Sequence, residues 1–215
     1  MKVCWIDVET GGTDPKAHGL IQLAYIIDIM GHETEVGTLY SNCRDKHLMP
    51  KALEVNGFTM AQVSTFPEPI QMYTELKRVL AKYVNPYDRD RAAKFVLGGY
   101  NAQFDFGFVK QLWDDHNDKY LFSFFNHGII DPSAMARFLQ YAGHPFPGSM
   151  KLGELADFMG IVPDGNLHDA LTDIRLTRDV TRELIKRYVR ARPRLPHAET
   201  PTEGNGKPPY PDIPF

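Results

Sequence analysis

Apolar residues recur along this chain in two periods, and the change of period marks its elements. Lys2–Val8 is rich in β-branched and aromatic side chains and runs into Gly11-Gly12, a strand entering a loop. Leu20–Met30 reads as a second strand. After the turn at Gly31-His32, Thr34–Tyr40 returns as a third, which makes an antiparallel meander. Helical spacing takes over at Met49–Asn56. It is clearest between Glu68 and Val84, where Ile70, Tyr73, Leu76, Val79, Leu80 and Tyr83 share a face. Phe95–Gly99 is a short buried strand ended by glycines, and Asn101 is placed to cap a helix from about Phe104 to Asp115. Gly128–Asp131 is a further strand, stopped by Pro132, which suits the first turn of a helix over Ser133–Tyr141. Helices over Lys151–Met159 and Asp169–Val189 follow. These elements predict one α/β domain over residues 1–190, with a mixed five-stranded sheet whose second strand is antiparallel.

The pattern stops near Arg192. Seven prolines fall between Pro193 and Phe215, so residues 191–215 read as a disordered, Pro-rich C-terminal tail. The formal charge of −3 hides a partition. Lys186, Arg187, Arg190, Arg192 and Arg194 cluster at the last helix end, where a solvated face that complements the helix dipole accounts for them. Residues 1–185 carry 18 basic and 24 acidic side chains, which argues against holding duplex DNA by bulk positive charge. Cys4 and Cys43 give no disulfide framework, and acids arrive too early after Met1 for a signal peptide. The longest apolar stretch, Leu20–Met30, is too short to span a bilayer. A cytoplasmic protein with no membrane partner is expected.

Chemistry concentrates at three places. Asp7 and Glu9 stand at i and i+2 near a strand end, so both carboxylates point to one face. Two buried like charges are costly unless a cation neutralises them, and Mg²⁺ favours a few carboxylates plus water and phosphate. Asp105 begins a helix just after a strand, and ligands of open α/β sheets gather outside the strands' carboxyl ends. Asp7, Glu9 and Asp105 can therefore meet. His168 opens the last helix and Asp173 follows inside it, with Asp169 between them as a capping residue. A helix-start His or a first-turn Asp has an ordinary structural use as well.

Asp7-x-Glu9-Thr10, Asn101-x-x-Phe104-Asp105 and His168-x-x-x-x-Asp173 occur in that order at matching strand and helix positions. The set resembles the DEDDh (DnaQ-like) 3′–5′ exonucleases, and Asp7-Val8-Glu9-Thr10 with Leu121–Phe125 is most similar to their RNase T branch. The resemblance implies a ribonuclease H-like fold. It also implies two divalent cations, Mg²⁺ or Mn²⁺, held by Asp7, Glu9, Asp105 and Asp173, with His168 as general base toward a water nucleophile. Single-stranded DNA or RNA 3′ ends would be the substrate and nucleoside 5′-monophosphates the product. DNA is favoured over RNA trimming, and a catalytically idle adaptor acting through its tail is the remaining alternative.

By the same resemblance Thr10, Gly11, Asn101 and Phe58 are substrate contacts. The Thr10–Gly12 amides would meet the 3′ end, and Phe58 would wedge under the terminal base, unless it is a core aromatic at a helix end. Two positions depart from the family pattern: Tyr100 stands where a His commonly precedes the Asn, and Gly11-Gly12 replaces a frequent Thr-Gly pair. The ending Asp212-Ile213-Pro214-Phe215 resembles the C-terminal tip of bacterial single-stranded DNA-binding proteins. That resemblance implies docking on proteins that recognise the tip, through an aromatic anchor and an acidic group.

Overall fold

A computed structural model describes residues 1–165 and 169–190. Five strands, β1 (Lys2–Thr10), β2 (Leu20–Ile29), β3 (His32–Tyr40), β4 (Phe95–Gly98) and β5 (Phe125–Ile130), form one sheet in the order β3-β2-β1-β4-β5. β2 runs antiparallel to both β1 and β3, while β4 and β5 run parallel to β1. The mixed five-stranded sheet is thus as the sequence indicates. Among the described residues seven α-helices flank it: α1 (Pro50–Asn56), α2 (Met60–Val63), α3 (Pro69–Tyr83), α4 (Ala102–Asp115), α5 (Pro132–Tyr141), α6 (Leu152–Met159) and α7 (Ala170–Leu184).

The two-residue alternation of β1 explains the layers. Cys4, Ile6 and Val8 point to the face covered by α3 and α4, where Met72, Leu76, Phe108 and Trp113 close the larger core. Val3 and Trp5 point to the other face, against Ala170 and Ile174 of α7. Asp7 and Glu9 continue the Val3–Trp5 series, so the strand's own pleat delivers them to the side of α7. Trp5 lies flat over Gly98, where an added Cβ would approach the indole to 2.4 Å. Bulk at position 98 would therefore displace either β4 or the Trp.

Some boundaries differ from the sequence reading. α4 starts at Ala102, because Asn101 adopts a left-handed conformation (φ 54°, ψ 42°) and turns the chain directly into the helix. Asn101 is the N-cap residue, as expected, but its side chain makes no capping hydrogen bond, and its backbone carbonyl accepts from the Phe104 N–H at 2.9 Å. β5 begins at Phe125, three residues earlier than Gly128, since Phe125 pairs with Phe95 and packs in the core. α2, which the apolar pattern does not predict, starts at a capping box between Thr59 and Gln62. α7 passes at Leu184 into a π-helical turn over Ile185–Arg190. Among the described residues no helix is long and apolar enough to cross a membrane.

Candidate active site

β4 pairs with β1 only as far as Trp5, so the last half of β1 projects beyond its parallel neighbour. Asp7 and Glu9 lie on this projecting half. Asp173, in the first turn of α7, comes to meet them: one carboxylate oxygen from each of the three lies within 4.8 Å of the others. Asp105 approaches from α4 and accepts a hydrogen bond from the Val8 backbone N–H at 3.0 Å, which fixes its carboxylate at the open edge of β1. The four carboxylates expected from the sequence are therefore gathered at one sheet edge.

Burial and mutual repulsion dominate the electrostatics of Asp7 and Glu9. Burial first, then the charges of Asp105, Asp173, Glu9 and Asp169, hold the Asp7 carboxyl well above the usual carboxylate range. Glu9, 8% exposed, is pushed up to about 8 by burial and by Asp173, Asp105 and Asp169. Asp105, 3% exposed, is raised to about 7 by burial, against the lowering effect of backbone N–H bonds, with Asp131 adding repulsion. Among the described residues no Lys or Arg forms an ion pair with Asp7, Glu9 or Asp105. All-oxygen donors, converging and mutually repelling, fit hard divalent cations such as Mg²⁺ or Mn²⁺.

The supporting residues divide. Thr10 ends β1, its hydroxyl donates to the Gly12 carbonyl at 2.7 Å, and Asn56 of α1 donates to the Thr10 carbonyl at 2.9 Å. The Gly11 N–H donates to the Gly19 carbonyl at 2.7 Å, so that amide is engaged within the protein, which corrects its expected donation to a 3′ end. Gly11 is held by packing, since an added Cβ would meet Leu48 at 2.4 Å. Phe58 is half-buried in a small cluster with Ile21, Leu53 and Val63, edge-on to Phe66 at 5.7 Å. It has both the core role and an accessible edge. Asn101 stands one turn before Asp105 and borders a groove between α4 and α5.

Tyr100, at the position of the family His, is bound elsewhere: its hydroxyl donates to the Met150 carbonyl. His168 and the tip residues Asp212, Ile213, Pro214 and Phe215 lie outside the described residues.

Two further acids bear on the cluster. Asp169 caps α7, accepting from the Thr172 N–H at 3.1 Å and from Gln22 Nε2 at 3.1 Å. Asp131 caps α5 by accepting from the Ser133 N–H at 2.9 Å. The sequence pattern does not reveal its influence on Asp105, although Asp131-Pro132-Ser133 is a helix-start signature at a strand's end.

Among solved structures the chain is similar to Escherichia coli exonuclease I in a zinc-bound complex with single-stranded DNA. That match has 21% identity and a TM-score of 0.69, covering 86% of this chain and 40% of that one. It is also similar to exonuclease I from Methylocaldum szegediense, at 24% identity and a TM-score of 0.68, covering 87% and 41%. A third likeness is to an ExoI/SSB-Ct complex, at 19% identity and a TM-score of 0.69, covering 88% and 42%. The likeness establishes the fold, and the chain spans less than half the length of these proteins. No curated protein sequence matches it. The exonuclease family model RNase_T matches residues 4–181, a stretch that contains all four carboxylates, and the chain belongs to that exonuclease family.

Proposed function

We propose that this protein is a metal-dependent 3′–5′ exonuclease that removes nucleoside 5′-monophosphates from single-stranded nucleic acid, DNA in preference to RNA. The observation that carries this reading is the convergence of Asp7, Glu9 and Asp173 within 4.8 Å in a chain of the exonuclease family. The exonuclease I structures of the same fold include complexes with single-stranded DNA and with a dA16 oligonucleotide, which supports the choice of DNA. Asp7, Glu9 and Asp173 would hold one cation, and Asp105 with Asp7 a second. When bound, such ions polarise the phosphate and lower the pKa of water.

The protein's own groups supply the rest. Burial of Glu9 and Asp105 keeps bulk water from their own carboxylates, while Asp7 and Asp173 stay half-buried. Val8 N–H and the Asn56–Thr10 contact hold the strand end and its loop in place. His168, an imidazole able to titrate near neutrality, would take the proton of the attacking water. The half-exposed edge of Phe58 would contact the terminal base.

The test uses 5′-labelled single-stranded DNA, single-stranded RNA and blunt duplex DNA, each with Mg²⁺ and with chelator. Stepwise shortening from the 3′ end, fastest on single-stranded DNA and absent in chelator, supports the reading. Internal cuts, or activity undiminished by chelator, would overturn it. For Asp212–Phe215 the sequence motivates a partner that recognises such tips, and an ExoI/SSB-Ct complex exists among proteins of this fold. Deleting Ile213–Phe215 should abolish capture of a tip-recognising protein and leave oligonucleotide hydrolysis unchanged. Equal capture by the truncated and full chains would remove that partner.

A further inference from the structure

Among the described residues nothing packs on the outer face of α5. Its inner face is spent on the second core, where Ala136 is buried and Met135 and Leu139 pack with Leu155, Leu176 and Val180. Ala134, Arg137, Phe138 and Tyr141 follow at i, i+3, i+4 and i+7, and all four are exposed. Phe138 is 70% and Tyr141 92% exposed. Neither ring stacks on another among the described residues. Arg137 makes no ion pair there either. Two solvated aromatics beside an unpaired guanidinium are an uncommon surface for a helix to present.

This stripe leads into the candidate active site. Ala134 lines the groove of about 400 Å³ between α4 and α5, together with Asn101, Gln103, Ile129 and Asp131. Asp131 lies close enough to Asp105 to raise its pKa, and Arg137 close enough to Tyr100 to act on its hydroxyl. Acids, groove and stripe are therefore continuous. The larger cleft of about 710 Å³ beside the second half of α4 is less suited to phosphate. Its Arg44 and Lys46 are already paired with Glu68 at 2.7 Å and Asp115 at 2.9 Å, and Asp45 adds a further acid.

We propose that the outer face of α5 is the track on which the upstream part of a single-stranded substrate lies, with bases stacked on Phe138 and Tyr141 and a backbone phosphate on Arg137. The proposal rests on the exonuclease reading above and extends it away from the scissile bond. From Ala134 to Tyr141 the helix rises about 10 Å, the length of roughly three nucleotides stacked at about 3.4 Å. Aromatic stacking of this kind is sequence-tolerant, and Arg adds charge and cation–π attraction.

The experiment measures binding of labelled single-stranded DNA and RNA oligonucleotides of about 12 nucleotides to the full chain in chelator. The proteins are wild type, the double variant Phe138→Ala/Tyr141→Ala, Arg137→Ala, and Tyr87→Ala. Tyr87 is an exposed ring on the loop that feeds the opposite, amino end of β4, and serves as the control. The double variant should bind at least about 10-fold more weakly. Arg137→Ala should lower the slope of log K against log salt by about 0.7, and Tyr87→Ala should match wild type.

Unchanged binding in the double variant with a normal circular dichroism spectrum overturns the proposal and leaves the stripe to a protein partner. Equal weakening by Tyr87→Ala overturns it too, as non-specific adhesion. Metal-dependent 3′-end shortening of the same labelled oligonucleotide by wild type is measured alongside. If that is absent the exonuclease reading fails, whereas hydrolysis with unchanged long-strand binding in the double variant refutes the track alone.

Discussion

Glu9→Gln separates the stability of this site from its function, and the two should move in opposite directions. The Glu9 carboxyl titrates at about 8 in the folded chain, against 4.5 ordinarily, because it is buried and faces Asp173, Asp105 and Asp169. The folded state therefore holds a proton that the unfolded state releases. The associated stability is complete below about pH 4.5 and is lost as pH rises toward 8. At about pH 7, some 2.5 pH units above the ordinary value at about 1.4 kcal/mol each, Glu9 costs the metal-free protein about 3 kcal/mol. Gln has the same shape and no charge. Thermal unfolding in chelator should place Glu9→Gln about 6–12 °C above wild type near neutral pH, with the gap closing near pH 4.5. Adding Mg²⁺ should raise wild type more than the variant, since only wild type offers the full ligand set. A gap that is absent in chelator, or that does not vary with pH, would refute the account of Glu9 as a strained member of a cation site.

Asp7→Ala and Asp173→Ala should each abolish hydrolysis while the protein remains folded, because each removes a ligand from the cluster and relieves repulsion in the metal-free chain. Near-normal turnover in either variant, measured on labelled oligonucleotide, would end the two-cation reading. His168→Ala should slow the chemical step by about 10²–10⁴-fold with metal affinity retained, and a pH–rate profile identical to wild type would show that another group titrates. Arg178→Ala should cost about 3–5 kcal/mol in urea unfolding. The guanidinium, itself buried, pairs with Asp28 at 3.2 Å and with Glu33, and its loss leaves the buried Asp28 with only the more distant Arg182, at 4.0 Å. A loss below about 1 kcal/mol would reduce the bridge to an ordinary surface pair.

The sheet and the acids were legible because each rests on a local rule. The period-2 pattern fixes which face Asp7 and Glu9 share, and a helix start after a strand end brings Asp105 to the same edge. Gly11 and Asn101 were less legible because their roles depend on distant partners. The carbonyl that takes the Gly11 N–H belongs to Gly19 across a loop, and Asn101 uses its backbone, not its side chain, to turn the chain. The weight of Asp131 on Asp105 is likewise a contact between two crossovers, invisible until β4 and β5 are known to be neighbours. Arg178, a helical position with no sequence signal of its own, is buried against Asp28 on β2, 150 residues away in sequence.

The unequal lengths of the central strands explain why the acids can be crowded without unfolding the edge they occupy. β1 runs to Thr10 but pairs with β4 only through Trp5, so its far half is held by β2 alone on one side. A strand left half-paired exposes backbone donors, and Asp105 satisfies one of them at Val8. The same carboxylate thus closes the sheet edge and stands beside Asp7 and Glu9. Asp105→Asn keeps an oxygen to accept from Val8 and removes the charge. It should lose hydrolysis at little or no cost in metal-free stability. Asp105→Ala should lose both, since the Val8 N–H is then left buried without its acceptor, at about 1–3 kcal/mol. Unfolding curves and initial rates on the two variants decide it: equal stability of Asn and Ala at this position would show that the Val8 bond contributes nothing to holding the edge.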